Sequence, residues 1–268
     1  MGVLNCTPDS FSDGSTLGLD ELVRKAKRLV AQGADIIDVG GESTRPNAVP
    51  VAEAEELRRV MPVIQALVQA GITVSVDSMK AEVMRQAIEA GVSLVNDVSA
   101  LRFDDASMDV VAASGVDVCL MHMQGTPQTM QHNPRYDDVV SEVLSFFEQR
   151  IEACIEVGIQ TSSIILDPGI GFGKRLSDNL QLIVNIDRIK QTFGLPVLLG
   201  VSRKSFLASM TQADIHNREV ETAVASAIGI FCGADMIRVH DCLAHHKTAT
   251  VAAQLCDARL HNGKVSHG

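Results

Sequence analysis

The chain has 268 residues, 46% of them hydrophobic and 21% charged, with a formal net charge of −10; this composition describes a soluble globular protein long enough for one large domain. The acidic balance, with no Trp and a single Tyr, Tyr136, speaks against general nucleic-acid binding, which draws on a basic surface and stacking aromatics. No apolar run approaches the roughly 18 residues of a membrane span and no signal-peptide pattern stands at the N-terminus, so the expected location is the cytoplasm, with no membrane partner.

Along the chain, eight short apolar runs each stop at a polar or charged residue. Residues 2–4 stop at Asn5, 36–37 at Asp38, 74–76 at Asp77, 94–95 at Asn96, 118–121 at His122, 164–166 at Asp167 and 197–201 at Ser202, Arg203 and Lys204; the eighth run, 236–239, carries Arg238 and leads to His240. Between them, apolar residues recur every three and four positions over 19–32, 52–70, 80–90, 104–114, 136–157, 177–193, 219–232 and 243–260, which is the helical period. Five of these segments end at Gly33, Gly71, Gly91, Gly115 and Gly158, suited to the left-handed turn that closes a helix. Eight alternating units predict a (β/α)8 TIM barrel, α/β in class, with its chemistry at the C-terminal ends of the strands. An open doubly wound sheet shares the alternation but wants G-x-G-x-x-G after its first strand, where Asn5-Cys6-Thr7-Pro8-Asp9 stands instead. No linker or low-complexity tract divides the chain, so 1–268 is expected to be one domain, with a tail that frays after residue 260.

Several strand-end segments carry candidate chemistry. The first loop, from Asn5 to Gly14, contains Phe11 and Asp13; the second holds Gly40-Gly41-Glu42-Ser43-Thr44-Arg45-Pro46, in which paired glycines allow close backbone approach and Arg45 offers a planar cationic fork. Loops 7–17 and 42–51 are polar and poor in apolar anchors, and are expected to be mobile until a ligand orders them. Asp77, Asn96 and Asp167 sit at matching strand ends. Each alone reads as well as a helix cap, whereas three at one barrel mouth match the hydrogen-bonding edge of a heterocycle such as a 2-amino-4-oxo pyrimidine. The Gly-rich stretch from Asp167 to Lys174 lacks the spacing of a P-loop. Ser202, Arg203, Lys204, Ser205, Arg238 and His240 cluster where barrels commonly bind phosphate, and strand alternation puts Arg238 and His240 on one side. The six cysteines form no C-x-x-C pair and read as reduced structural thiols, while His216, His245, His246, His261 and His267 fall on helices or in the tail and need no role.

Taken in order, Met1 to Gly14, Asp38 to Pro46, Val76-Asp77-Ser78, Asn96-Asp97, Met121-His122-Met123-Gln124-Gly125, Asp167 to Gly173, Ser202 to Ser205 and Arg238-Val239-His240 resemble the dihydropteroate synthase family over nearly the whole chain. The resemblance implies an enzyme, a transferase that joins 6-hydroxymethyl-7,8-dihydropterin pyrophosphate to p-aminobenzoate and releases pyrophosphate in folate synthesis. By position it implies that Asp77, Asn96, Asp167 and Lys204 hold the pterin, with Arg238 on its face, and that Asn5, Arg238 and His240 take the pyrophosphate, with Mg²⁺ touching Asn5. Thr44, Arg45, Pro46, Phe172, Lys204 and Ser205 would form the p-aminobenzoate pocket, and Phe11 and Asp13 would close from the first loop. A homodimer is implied as well.

Two other readings stand beside this one. A pterin-binding methyltransferase domain acting with a corrinoid partner shares the barrel and the pterin-edge residues, and an inactive pterin-binding protein would bind without turnover. Thr44-Arg45-Pro46 with Ser202-Arg203-Lys204-Ser205 favours the synthase. Departures from the family's pattern are Asn47 where Gly is usual, and Ser78-Met79 in place of Thr-Ser or Thr-Tyr. The family also carries a short N-terminal extension, whereas here Met1 begins strand 1.

Overall fold

The computed structural model describes residues 1–6, 16–44, 48–212, 214 and 217–262. Strands and helices alternate: β1 (Gly2–Asn5), α1 (Thr16–Ala31), β2 (Ile37–Gly40), α2 (Glu53–Gln69), β3 (Val74–Asp77), α3 (Ala81–Glu89), β4 (Leu94–Asp97), α4 (Ser107–Ser114), β5 (Asp117–Met121), α5 (Val139–Glu156), β6 (Ile164–Asp167), α6 (Leu176–Val184), α7 (Ile186–Phe193), β7 (Leu198–Leu199), α8 (Ser205–Thr211), α9 (Glu219–Phe231), β8 (Met236–Ile237) and α10 (Cys242–Asn262). β1 to β6 pair in parallel in sequence order, and β7 pairs with β8. Single parallel bridges join the two sheets at both seams, Leu166 to Val197 and Gly2 to Val239. Leu166 N–H donates to Pro196 O at 2.9 Å, and Val3 N–H to Val239 O at 3.0 Å. The eight strands thus close as a (β/α)8 barrel.

The period of two along each strand divides the core. Outward residues such as Ile37, Val39, Val74, Val76, Val118, Leu120, Ile164 and Leu166 join one large cluster with the helices. Inward residues form a separate plug of Met1, Leu94, Cys119, Ile165 and Leu198, with Ile36 and Met236 against it. Later in the strands the inward positions turn polar, at Asp38, Asp77, Asn96, Asp167 and Arg238. Register sets Asn5 beside Gly40, Gly40 beside Asp77 and Asp77 beside Asn96, so an apolar floor carries a charged layer at the strand ends.

Three features differ from the periodicity. Residues 177–193 form two helices, because at Asn185 the side-chain amide donates to Gln181 O at 2.8 Å and competes with the backbone ladder. The seven-residue α8 was too short to leave a periodic signature. The segment 136–157 begins its helix only at Val139, where Asp138 caps Val140 and Ser141 N–H at 3.1 and 3.2 Å. Gly115 closes α4 at φ +70 as anticipated. All six cysteines are free thiols.

Candidate active site

Arg238 organises the barrel mouth. Its Nε donates to Asp38 Oδ2 at 2.6 Å and its Nη2 to Asp77 Oδ2 at 2.6 Å; Asn96 Nδ2 donates to the same Asp38 oxygen at 3.1 Å. One planar fork from the eighth strand run therefore fixes carboxylates on β2 and β3. Both carboxylates are buried, and among the described residues Asp38 Oδ1 has no hydrogen-bond partner. Burial pushes the Asp77 carboxyl up to about 7, with Arg238 pulling it down and Asp38 adding to the rise. Burial also opposes the charge on Arg238, but Asp38 and Asp77 hold its pKa above the ordinary value.

The opposite rim is built from the sixth and seventh strand ends. Asp167 Oδ1 accepts Gly169 N–H at 2.7 Å. Burial raises the Asp167 pKa against the pull of Lys204 and this hydrogen bond. At Gly200, a Cβ position would lie 3.7 Å from Lys204 Nζ and 3.9 Å from Asp167 Oδ2, so both charged groups converge on the end of β7. Lys204 Nζ donates to Ile170 O and stands 4.6 Å from the Phe172 ring centroid; burial lowers its pKa to about 8, opposed by Asp167. Ser202 Oγ lies 2.9 Å from His240 Nδ1 and accepts His240 N–H at 3.2 Å, which orients the imidazole.

The Gly-rich turn after β6 is held from within. Lys174 Nζ donates to Gly169 O at 2.9 Å, Phe172 O at 3.1 Å and His122 O at 3.2 Å, and lies 2.9 Å from His122 Nδ1. Burial and the neighbouring Lys174 push His122 down to about 2, so the ring is neutral and Nδ1 accepts. A Cβ at Gly169 would meet His122 O at 1.9 Å, so only glycine permits this approach. The amides of Gly169 and Gly171 are taken by Asp167 and by Asn179 Oδ1, the latter at 2.7 Å, in keeping with the failed P-loop spacing.

A family model described as pterin binding enzyme matches residues 1–240. The chain is 44% identical over 246 residues to the dihydropteroate synthase of Haemophilus influenzae, covering 91% of this chain and 89% of the relative. It superposes on the Yersinia pestis dihydropteroate synthase in a sulfonamide drug complex with a TM-score of 0.90, at 42% identity over 95% of this chain and 93% of that one. The Xanthomonas albilineans dihydropteroate synthase with 4-aminobenzoic acid gives 0.87 at 43% identity over 95% and 92%. The chain belongs to the dihydropteroate synthase family.

Within this family member, Asp77, Asn96 and Arg238 belong to one hydrogen-bonded group joined through Asp38, while Lys204 stands over the Phe172 ring and lies near enough to Asp167 to act on its charge. Asn5 is exposed at the end of β1, Thr44 is half-buried after β2, and Ser205 is exposed as the first residue of α8. Phe11, Asp13, Arg45, Pro46 and the Asn47 departure lie outside the described residues, as does most of loop 7–17. In the other departure, Ser78 Oγ accepts Lys80 N–H at 3.2 Å and Met79 packs with Val98, Met121, Met123 and Met130 under Phe172.

Three groups at or behind the mouth carried no role in the sequence reading. Asp38 closes the second apolar run, and that position was its only signal. Asp97 accepts from Ser99 N, Ser99 Oγ and Leu101 N at 2.7, 2.9 and 2.8 Å, holding a turn in which Ala100 and Leu101 have φ of 54° and 58°. His245, fully buried, meets Glu219 Oε2 at 3.1 Å, and Glu219 Oε1 accepts Arg203 Nε at 2.5 Å, a link between α10 and the seventh strand end.

Proposed function

We propose that this mouth condenses 6-hydroxymethyl-7,8-dihydropterin pyrophosphate with p-aminobenzoate. The observation that carries the reading is the pairing of inward acceptors with fixed cations: Asp77 and Asn96 around Arg238 on one side, and Asp167 beside Lys204 on the other. The carboxylates accept the pterin's amino and ring N–H groups, and Lys204 donates to its acceptor edge. Arg238, locked by two carboxylates, covers the pterin face and reaches the pyrophosphate with His240 and Asn5. Thr44, Arg45, Pro46, Phe172, Lys204 and Ser205 line the p-aminobenzoate side, and Phe11 and Asp13 act from the first loop.

In the reaction the pterin methylene C–O bond breaks with its electron pair leaving on pyrophosphate, the aniline nitrogen lone pair forms the new C–N bond, and the amine then loses its proton to water or to the departing pyrophosphate. Arg238 and His240 stabilise the charge that grows on the leaving group. The aromatic amine is a competent nucleophile, so no covalent enzyme intermediate is required. Among the described residues no group of three His, Cys, Asp or Glu side chains is placed to cage a cation. Mg²⁺ typically binds through one or two protein oxygens plus substrate phosphates and its own waters, a mode that the exposed Asn5 amide oxygen fits. Bound there, Mg²⁺ would neutralise pyrophosphate charge. The similarity to proteins named as synthases favours this reading over methyl transfer to a corrinoid partner.

The proposed assembly is a homodimer. α9 packs against α6 and α10, and the three expose apolar residues at helical spacing: Val220, Val224, Ile228 and Phe231 on α9, Leu176, Leu180 and Val184 on α6, and Val251 and Leu255 on α10. A contiguous face of this kind is covered in a stable protein, and a second copy would cover it symmetrically. Among the described residues no helix is long and apolar enough to cross a membrane. We place the protein in the cytoplasm as one domain over 1–268, without nucleic-acid partners. Mass spectrometric detection of 7,8-dihydropteroate after incubation with both substrates tests the activity; recovery of unreacted substrates would refute it.

A further inference from the structure

Behind the second loop lies a buried ion network that the reaction does not use. Lys80 Nζ donates to Glu42 Oε2 at 2.5 Å and to Glu56 Oε2. The Lys80 and Glu42 side chains are 12% exposed and Glu56 only 1%, and Glu56 Oε1 has no partner among the described residues. The three come from three places: Glu42 follows β2, Glu56 lies in the first turn of α2, and Lys80 precedes α3. The backbone of Gly41 is pressed onto α2, since a Cβ there would sit 2.8 Å from Val60 Cγ1 and 2.9 Å from Glu56 Cγ. Arg59 Nη1 holds Gly41 O at 2.9 Å. Glu42, the last of these anchors, stands two residues before Thr44.

One cation between two carboxylates, all largely out of water, contributes little net stability; well-packed apolar side chains of similar volume often serve as well or better. What such a network supplies is a single position for the segment it holds. Lys80 follows Asp77 by three residues, so one short stretch of chain bears both a carboxylate of the pterin side and the tether of the second loop. Burial works against the Lys80 charge, but Glu42 and Glu56 overcome it and raise the pKa, so the tether stays charged.

We infer that Lys80, through Glu42, is a positioning residue for the p-aminobenzoate side of the site, fixing Thr44 relative to the strand that carries Asp77. This rests on the reading of Thr44 as part of the p-aminobenzoate wall.

The test is steady-state kinetics on the full chain carrying Lys80→Met, Glu42→Gln or Lys80→Arg, with each substrate varied in turn. Lys80→Met and Glu42→Gln are expected to raise KM for p-aminobenzoate by about tenfold, a typical effect of losing one charge-assisted hydrogen bond, while KM for the pterin pyrophosphate stays within about twofold. Lys80→Arg, which can still reach both carboxylates, recovers most of the loss. Glu42→Gln keeps the Lys80–Glu56 pair and so answers the question even if Lys80→Met fails to fold. Unchanged KM for p-aminobenzoate, an equal rise in both KM values, or an Arg variant no better than Met would overturn the positioning role while leaving the function intact. A wild-type chain without turnover would refute the functional reading, and this inference with it.

Discussion

Replacing Arg238 by Met keeps the bulk of the side-chain stem and removes the one cation that Asp38 and Asp77 share at 2.6 Å each. Their side chains are 0% and 9% exposed, so water reaches them poorly and compensates little of the lost guanidinium. Breaking a buried pair by deleting one partner costs about 3–5 kcal/mol. Asp77 can relieve part of that cost by taking a proton, because burial already lifts its pKa to about 7 and Arg238 is the group that pulls it down. A carboxyl whose folded pKa exceeds its unfolded value makes the folded state bind more protons, so its stabilisation is complete below the unfolded pKa and is lost as pH rises through the folded one. Removing Arg238 lifts the folded value further and extends that window upward. The deficit of the variant should therefore be smaller near pH 5, where Asp77 carries a proton, and grow to about 3 kcal/mol or more near pH 8. Urea denaturation of both proteins across this range measures it. A deficit under about 1 kcal/mol that does not change with pH would refute the claim that Arg238 compensates two buried carboxylates.

Three further outcomes follow from the site and the surface. Asp167→Asn presents an amide donor where acceptors are needed and should weaken pterin binding by about 2–4 kcal/mol; a calorimetric titration with unchanged affinity would remove Asp167 from pterin recognition. If the proposed homodimer forms through the apolar face of α9, Ile228→Glu should shift it to monomers in sedimentation velocity; a wild-type chain that sediments as a monomer, or an undiminished dimer population in the variant, would refute that interface. Pyrophosphate with Mg²⁺ should tighten p-aminobenzoate binding by about 1–3 kcal/mol if the first ligand orders the wall that receives the second; equal affinities with and without them would mean that the pocket is already formed.

Most of the fold was legible because the barrel repeats one signal eight times. An apolar run that ends at a polar residue needs only its own few residues to be recognised, and Asn5, Asp77, Asn96, His122 and Asp167 stand at or next to five of the strand ends, whereas β2 runs on past Asp38 to Gly40 because the two glycines that follow add no side chain to the apolar pattern. The partnership of Arg238 with Asp38, by contrast, spans 200 positions, and no local pattern reports it. His245 on its helix and Lys80 ahead of α3 look like ordinary polar residues until closure of the barrel buries them against Glu219 and Glu42. The break at Asn185 was hidden for the opposite reason: apolar spacing runs through it, and one side-chain hydrogen bond to Gln181 O decides against a continuous helix.

Whether this barrel mouth joins a pterin to an aromatic amine with loss of pyrophosphate is decided by following pyrophosphate release with the purified chain, the pterin pyrophosphate and Mg²⁺, with and without p-aminobenzoate. Release should depend on p-aminobenzoate and yield one pyrophosphate for each dihydropteroate formed. Pterin binding without any p-aminobenzoate-dependent release would contradict the proposed function.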